Sequence, residues 1–333
     1  MIGDVLKVWI YALMSLFLGA WAAPGFYNAG KALAEVSMTK RTNAPLEWLA
    51  ARCQAAEFSA FFQLSWAVAA AALFLPFIHS LRGGQPSRGT NAWQFRLPSG
   101  ARSRAFGQPL RNHPHRASDA LRGFFGVTGL LGVVAGVLTL AGIFEVSPLP
   151  ESSAMMIFKF FIGAVAFAVI SEFLFRGVAM GIFLRAMTPP AAIAMSAVFS
   201  AMVLFFAAPH GLNVVDLDAS GNGFELLRKT AGKFSDFRWV MGFLTPLVAL
   251  GVVLGYARWR SASLFLPIGI SIGWNFFNAV FDACTVSASH AESVVWILLG
   301  SSLKQGPLPL LVILISGIFV SFTRREHEPF TET

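Results

Sequence analysis

Residues 154–186 read AMMIFKFFIGAVAFAVISEFLFRGVAMGIFLRA, and this stretch decides the fold class. A helix needs roughly 20 mostly apolar residues to cross the hydrocarbon core of a membrane. The stretch exceeds that length, so it predicts a transmembrane helix that is tilted or projects beyond the bilayer. Glu172 and Arg176 lie inside it, four residues apart and therefore on the same helical face. Ionisable groups at such a depth are costly and usually functional.

Similar apolar stretches lie on both sides of this segment. Of the 333 residues, 56% are hydrophobic and only 13% are charged, which is outside the composition of ordinary soluble domains. We predict eight transmembrane helices, at 5–23, 58–80, 123–144, 154–186, 190–210, 239–258, 262–283 and 307–323. The predicted fold class is therefore all-α, a polytopic transmembrane helical bundle.

The segment 82–122 has the composition of a basic, mobile loop. It is rich in Arg, Gly, Pro and Ser, and it carries eight arginines against one acid, Asp119. The positive-inside rule places such a loop in the cytoplasm, and alternation of the spans then places both termini there as well. We expect an integral protein of a bacterial inner (cytoplasmic) membrane, in contact with membrane lipid.

The predicted domain organisation follows from this loop. Two N-terminal transmembrane helices with an outer loop occupy 1–81, and a transmembrane bundle at 123–325 is followed by a tail at 326–333. The net charge is +8, but most of the basic residues lie in loops beside apolar spans, where they determine the orientation of the protein in the membrane. We therefore predict no nucleic-acid partner. The two cysteines lack a CxxC spacing, and His113 and His115 lack further ligands, so neither a metal nor a cofactor is expected.

A long connection at 211–238 contains a short amphipathic pattern. From Phe224 to Phe234 the pattern predicts a helix with Leu226, Leu227 and Ala231 on one side. A helix of this kind could cap the outer mouth of a cavity.

Three of the predicted spans carry polar residues at membrane depth. The fourth contains Ser171-Glu172-Phe-Leu-Phe-Arg176, the fifth ends Phe206-Ala-Ala-Pro-His210, and the seventh contains Ser271-Ile-Gly-Trp-Asn275. At about 1.5 Å per residue, Glu172, His210 and Asn275 lie roughly 25, 30 and 22 Å from the cytoplasmic ends of their helices. Scattered packing residues would not share one level, so the sequence predicts a single polar site toward the outer half of the membrane.

These motifs resemble those of the CPBP family, which includes the type II CAAX prenyl proteases and bacterial bacteriocin-processing and immunity proteins. The family is marked by EExxxR, FxxxH and HxxxN on successive core helices. This sequence has SExxxR at 171–176, FxxxH at 206–210 and SxxxN at 271–275. The flanks Phe-Arg-Gly at 175–177 and Gly-Trp-Asn-Phe at 273–276 are also similar. The resemblance covers about 154–283.

The resemblance implies an intramembrane endopeptidase that acts on peptide bonds of membrane-associated peptides or proteins. In the family, the first Glu of EExxxR activates water, helped by the second Glu, the Arg, the two His and the Asn. Carried over to this sequence, the catalytic residues are Glu172, Arg176, His210 and Asn275, and the cavity residues are Phe206 and Trp274. Ser171 and Ser271 replace the first Glu and the second His. Neighbouring helix positions point about 100° apart, so Glu172 does not take the place of the missing Glu.

Functions from different classes stay open at this point. One is a modified endopeptidase, in which Glu172 or His210 activates water while Asn275 and Arg176 stabilise the oxyanion. Another is a catalytically inactive pseudoprotease that binds a peptide or lipid-linked partner in the same cavity. A third arrangement, with Ser171 as nucleophile and His210 as base, lacks the strained turn that usually exposes such a serine. Transport is disfavoured, because we find no internal repeat and no pair of broken helices.

Overall fold

The computed structural model describes residues 2–39, 43–81, 116–147, 153–207, 221–261, 263–288 and 306–322. Its elements are α1 (Ile2–Thr39), α2 (Ala44–Ala55), α3 (Phe58–Ser80), α4 (Arg116–Leu140), β1 (Phe144–Val146), α5 (Ser153–Glu172), α6 (Met180–Ala186), α7 (Pro189–Ala207), α8 (Asn222–Gly232), α9 (Thr245–Ser261), α10 (Phe265–Cys284), β2 (Thr285–Ser287) and α11 (Pro307–Phe322). A π-helical segment at Phe173–Ala179 joins α5 to α6. A 3-10 turn at Lys233–Ser235, a helical turn at Phe237–Trp239 and a second π-helical segment at Val240–Leu244 lead from α8 into α9. The predicted all-α class is confirmed.

Six helical stretches among the described residues are long and apolar enough to cross a membrane. They are Gly3–Ser37, Phe58–Ser80, Ala117–Leu140, Ser153–Ala186, Pro189–Ala207 and Val240–Ser261. The count of eight is not confirmed. Helix α10, which carries Asn275, Asn278 and Asp282, is not among the six, and α11 has only 16 residues. Several apolar helices of this kind nonetheless make the chain an integral membrane protein.

The N-terminal region is more helical than the sequence analysis expects. Helix α1 continues through Pro24 as far as Thr39, where the sequence predicts an outer loop from residue 24, and α2 fills most of the remainder. The residues after Pro24 include Ala, Lys and Glu, which are strong helix formers. The Lys31 ammonium group then donates to the backbone carbonyls of Gln54 and Ala56 at 2.8 and 3.0 Å, which ties α1 to the end of α2.

The predicted basic loop is described only at its end. Residues 116–122 form the first turns of α4, whereas 82–115 and the predicted tail 326–333 lie outside the described residues. The orientation of the loop and of both termini stays a prediction.

One compact unit of the chain comprises Met1–Arg88 and Met202–Phe237. Its core lies between α1, α3 and α8 and is formed by Leu16, Ala20, Ala23, Phe58, Phe62, Trp66, Leu226 and Leu227. The buried residues of α8 include Leu226 and Leu227, as the amphipathic pattern predicts. Ala231 is exposed instead, because the buried face follows Gly223, Leu226, Leu227 and Thr230. Gly223 is required there, since a Cβ atom at this position would run into the backbone of Ala20.

The second unit comprises Gly89–Ala201 and Arg238–Thr333. Within it α10 packs tightly against α4, and glycines permit the approach. A Cβ atom at Gly269 would overlap the carbonyl of Ala120, and one at Gly273 would lie 2.8 Å from the carbonyl oxygen of Phe124. Strands β1 and β2 pair antiparallel beyond these two helices. Helix α10 also packs against α5, so the helices that carry Glu172 and Ser271 are neighbours.

Candidate active site

The site begins where α5 changes its helical register. The π-helical segment follows directly after Glu172, and the Met180 N–H donates to the carbonyl of Phe175, five residues earlier. Insertions of this kind occur frequently at functional sites. Glu172 therefore directly precedes an irregular piece of backbone, and Arg176 lies within it.

Glu172 and Arg176 form a buried ion pair. Arg176 Nη1 lies 3.2 Å from Glu172 Oε1, and their side chains are 3% and 1% exposed, respectively. A charge at this depth needs a partner, because removal from water costs several kcal/mol per ion, of order 5 in practice. The pair therefore accounts for how both groups are tolerated inside the bundle.

Two further contacts hold the Arg176 guanidinium group. Its Nη2 atom donates to Ser200 Oγ on α7 and to the backbone carbonyl of Gly251 on α9, both at 3.4 Å. A planar guanidinium group can serve several acceptors at once. Arg176 consequently joins the π-helical segment to α7 and α9.

Helix α10 brings Ser271 close to the Glu172 carboxylate. The Ser271 hydroxyl interacts with Glu172, and the Ser271 residue is 4% exposed. One turn further along α10, the Asn275 amide nitrogen donates to the Ser271 backbone carbonyl at 2.8 Å. Asn275 itself is half-buried. The structure thus brings together Glu172, Arg176 and Ser271, and Asn275 lies one turn from Ser271 on the same helix.

The other predicted site residues make contacts of their own or are not described. Ser171 donates its hydroxyl to the Ala168 carbonyl of its own helix at 3.3 Å. Trp274 is buried in an apolar cluster with Ile270 and Leu254. Phe206 belongs to the first unit, where its ring lies 5.2 Å from that of Phe205. For Trp274 and Phe206 a role in lining a cavity stays a prediction.

His210 lies outside the described residues, which end at Ala207 in this part of the chain and resume at residue 221. Its distance from Glu172 is therefore a prediction that rests on the sequence. The same holds for its role as a base.

The structure adds residues that the sequence analysis does not single out. Ser196 and Ser200 are four residues apart on α7 and buried, and both contact the segment around Arg176. Two serines at helical spacing in an otherwise apolar span are the signal that points to them. The Gly251 carbonyl has no signal in the sequence, because any residue supplies a backbone oxygen.

Two buried polar atoms of the ion pair have no hydrogen-bond partner among the residues that the structure describes. They are Glu172 Oε2 and Arg176 Nε. An ionised carboxylate can accept several hydrogen bonds, so Oε2 retains accepting capacity. Within the same described residues, there is no group of three or more His, Cys, Asp or Glu side chains placed to hold a metal ion.

Residues 153–277 match the family model described as type II CAAX prenyl endopeptidase Rce1-like. This part of the chain is similar to the CPBP family, to which the type II CAAX prenyl endopeptidases belong. The matched region begins and ends close to the predicted limits of about 154 and 283, and it includes all three motif segments. No curated protein and no solved structure matches the chain. The chain is thus a membrane protein that contains a region similar to the type II CAAX prenyl endopeptidases.

Proposed function

We propose that this protein binds a membrane-associated peptide or lipid-linked segment at its CPBP-like region without hydrolysing it. The observation that carries the proposal is the buried ion pair between Glu172 and Arg176. A general base must accept a proton from water near neutral pH. The guanidinium group 3.2 Å away favours the ionised form of the carboxylate, so Glu172 is a weaker base than the same buried carboxylate would be without Arg176.

The two substituted positions support the same conclusion. The resemblance assigns water activation to the position of Ser171, whose hydroxyl donates to the Ala168 carbonyl of its own helix. A serine hydroxyl at this position is neither a carboxylate nor paired with a described base. At the other position, Ser271 contributes a hydroxyl beside Glu172 where the family has an imidazole. Both changes shorten the side chain and replace an ionisable group by a hydroxyl.

Peptide binding is proposed because the family model concerns an endopeptidase and the site retains groups that recognise a peptide backbone. Asn275 is half-buried and one turn from Ser271, so its amide can reach a bound chain. An amide both donates and accepts, as a peptide bond requires. Arg176 is held by contacts with Glu172, Ser200 and Gly251, which lie on three helices.

The test is binding of a peptide that ends in Cys-aliphatic-aliphatic-X, prenylated and unprenylated, to the full chain in lipid nanodiscs. Asn275→Ala is expected to weaken binding about tenfold, since it removes a hydrogen bond to the ligand. Asn278→Ala is the matched control: Asn278 lies on the same helix, is fully buried and donates to its own helix, to the Trp274 carbonyl at 2.8 Å. Equal affinities for all three proteins, or no binding of either peptide, contradict the proposal.

A second candidate is a modified endopeptidase, and one observation favours it. Glu172 Oε2 has no hydrogen-bond partner among the described residues, so this oxygen is available to orient a water molecule. In that case cleavage of the same peptide depends on Glu172 and is abolished in Glu172→Ala. The resemblance adds His210 to this candidate as a second base.

A further inference from the structure

We propose that Ser196 and Ser200 are the positioning residues of the site, which hold the π-helical segment and Arg176 against α7. The proposal does not depend on whether the site binds or cleaves a peptide. It concerns how the irregular backbone between Glu172 and Met180 is kept in place, and two hydroxyl groups of one helix face carry it.

Ser196 acts on the backbone of the π-helical segment. Its hydroxyl donates to the Phe175 carbonyl at 3.2 Å, the same oxygen that accepts the Met180 N–H across five residues. A π-helical turn is less favourable than an α-helical one and needs support from its surroundings. A second donor on this carbonyl favours its outward tilt and so favours the π register over the α register.

Ser200 acts on the side chain that the segment presents. Its hydroxyl accepts from Arg176 Nη2 at 3.4 Å and donates to the Ala197 carbonyl at 3.1 Å. Donation to Ala197 orients the hydroxyl so that its lone pairs face the guanidinium group. Ser200 thereby contributes an acceptor where a hydrocarbon side chain would leave an Nη2 hydrogen without this partner.

The burial and the spacing of the two serines suit this role. Ser196 and Ser200 are 0% and 1% exposed and lie four residues apart, so both hydroxyls face the same neighbour. Between them, the Phe199 ring packs edge-on against Phe175 with centroids 6.1 Å apart. This face of α7 therefore contacts the backbone, the charged side chain and an aromatic ring of one short segment.

The first experiment measures backbone hydrogen exchange by mass spectrometry on the full chain in nanodiscs. In Ser196→Ala, amides of 173–183 are expected to exchange about five- to tenfold faster, because one supporting hydrogen bond is lost. Ser316→Ala is the matched control: Ser316 is a buried serine in the second unit whose hydroxyl donates to Val312 of its own helix at 2.8 Å. It should leave the exchange of 173–183 unchanged.

The second experiment asks whether Ser200 acts through Arg176. Ser200→Ala should raise the unfolding equilibrium constant about fivefold in the natural background and leave it unchanged when Arg176 is already Met. If Ser196→Ala does not fold, Ser196→Cys preserves its size and serves in its place. The proposal is overturned if the exchange of 173–183 is unchanged in both Ser196 variants, or if Ser316→Ala accelerates it equally. It is also overturned if Ser200→Ala has its full effect on the unfolding equilibrium in the Arg176→Met background.

Discussion

Arg176 and Glu172 pair at 3.2 Å inside the bundle, with 3% and 1% of their side chains exposed. The pair also contacts three other helices. Arg176 donates to Ser200 on α7 and to the Gly251 carbonyl on α9, and Glu172 interacts with Ser271 on α10. Removing either partner leaves a charge that has lost its counter-ion. The stability of this part of the bundle therefore depends on the pair staying intact.

Arg176→Met is expected to lower the free energy of unfolding by about 3–5 kcal/mol, because it leaves the Glu172 carboxylate buried without its cation. The double variant Glu172→Gln with Arg176→Met should lose less than Arg176→Met alone, since both charges are gone. Unfolding in mixed detergent micelles measures both values.

The control for this prediction is the exposed pair of Lys7 and Asp4, whose ammonium and carboxylate groups also lie 3.2 Å apart. Lys7→Met should cost at most about 1 kcal/mol, because solvent screens an exposed pair. Equal losses for Lys7→Met and Arg176→Met contradict a special role for the buried pair.

The close contact between α4 and α10 supports a second prediction. Gly269→Ala should lower the free energy of unfolding by about 1–3 kcal/mol, because the added methyl group overlaps the Ala120 carbonyl and forces the helices apart. Ser271 lies two residues away, so this separation also moves it relative to Glu172. Gly129→Ala on α4 is the control, since a Cβ atom there meets nothing within 4 Å. A loss in both variants, or in neither, counts against the glycine contact.

Strongly apolar spans with abrupt ends are the part of the fold that the sequence predicts best. Helix α3 is predicted at 58–80 and observed at Phe58–Ser80, because Glu57 precedes the apolar run and Arg82 follows it. Helix α1 illustrates the opposite case. Its apolar part ends near residue 23, but the helix continues to Thr39 through residues whose helical propensity a hydropathy argument does not weigh.

Part of the candidate site is also predictable from the sequence, and part is not. The resemblance singles out Glu172 and Arg176, and their spacing of four residues predicts that they meet. The π-helical segment between Glu172 and Met180 is not predicted, since a change of helical register depends on tertiary contacts. Its supporting donor, Ser196, lies twenty-one residues beyond Phe175 on another helix. Backbone acceptors such as the Gly251 carbonyl are also hidden from the sequence.

The orientation in the membrane is a third prediction. The arginines of 82–122 favour the cytoplasm, so both termini and this loop should lie on the cytoplasmic side. Single cysteines introduced between residues 85 and 110, in a background with Cys53→Ser and Cys284→Ser, should react with a membrane-impermeant thiol reagent only after the cells are opened. Labelling of these positions in intact cells reverses the assigned orientation.

We propose that the Glu172–Arg176 ion pair and the serines at positions 171 and 271 make the site non-hydrolytic, and the rate of peptide cleavage tests this most directly. The measurement compares the unmodified protein, Glu172→Ala and the double variant Ser171→Glu with Ser271→His on one peptide library. We predict no cleavage by the unmodified protein above the level of Glu172→Ala, and measurable cleavage once the complete motif is restored. Cleavage by the unmodified protein that disappears in Glu172→Ala would contradict the account and establish the modified endopeptidase instead.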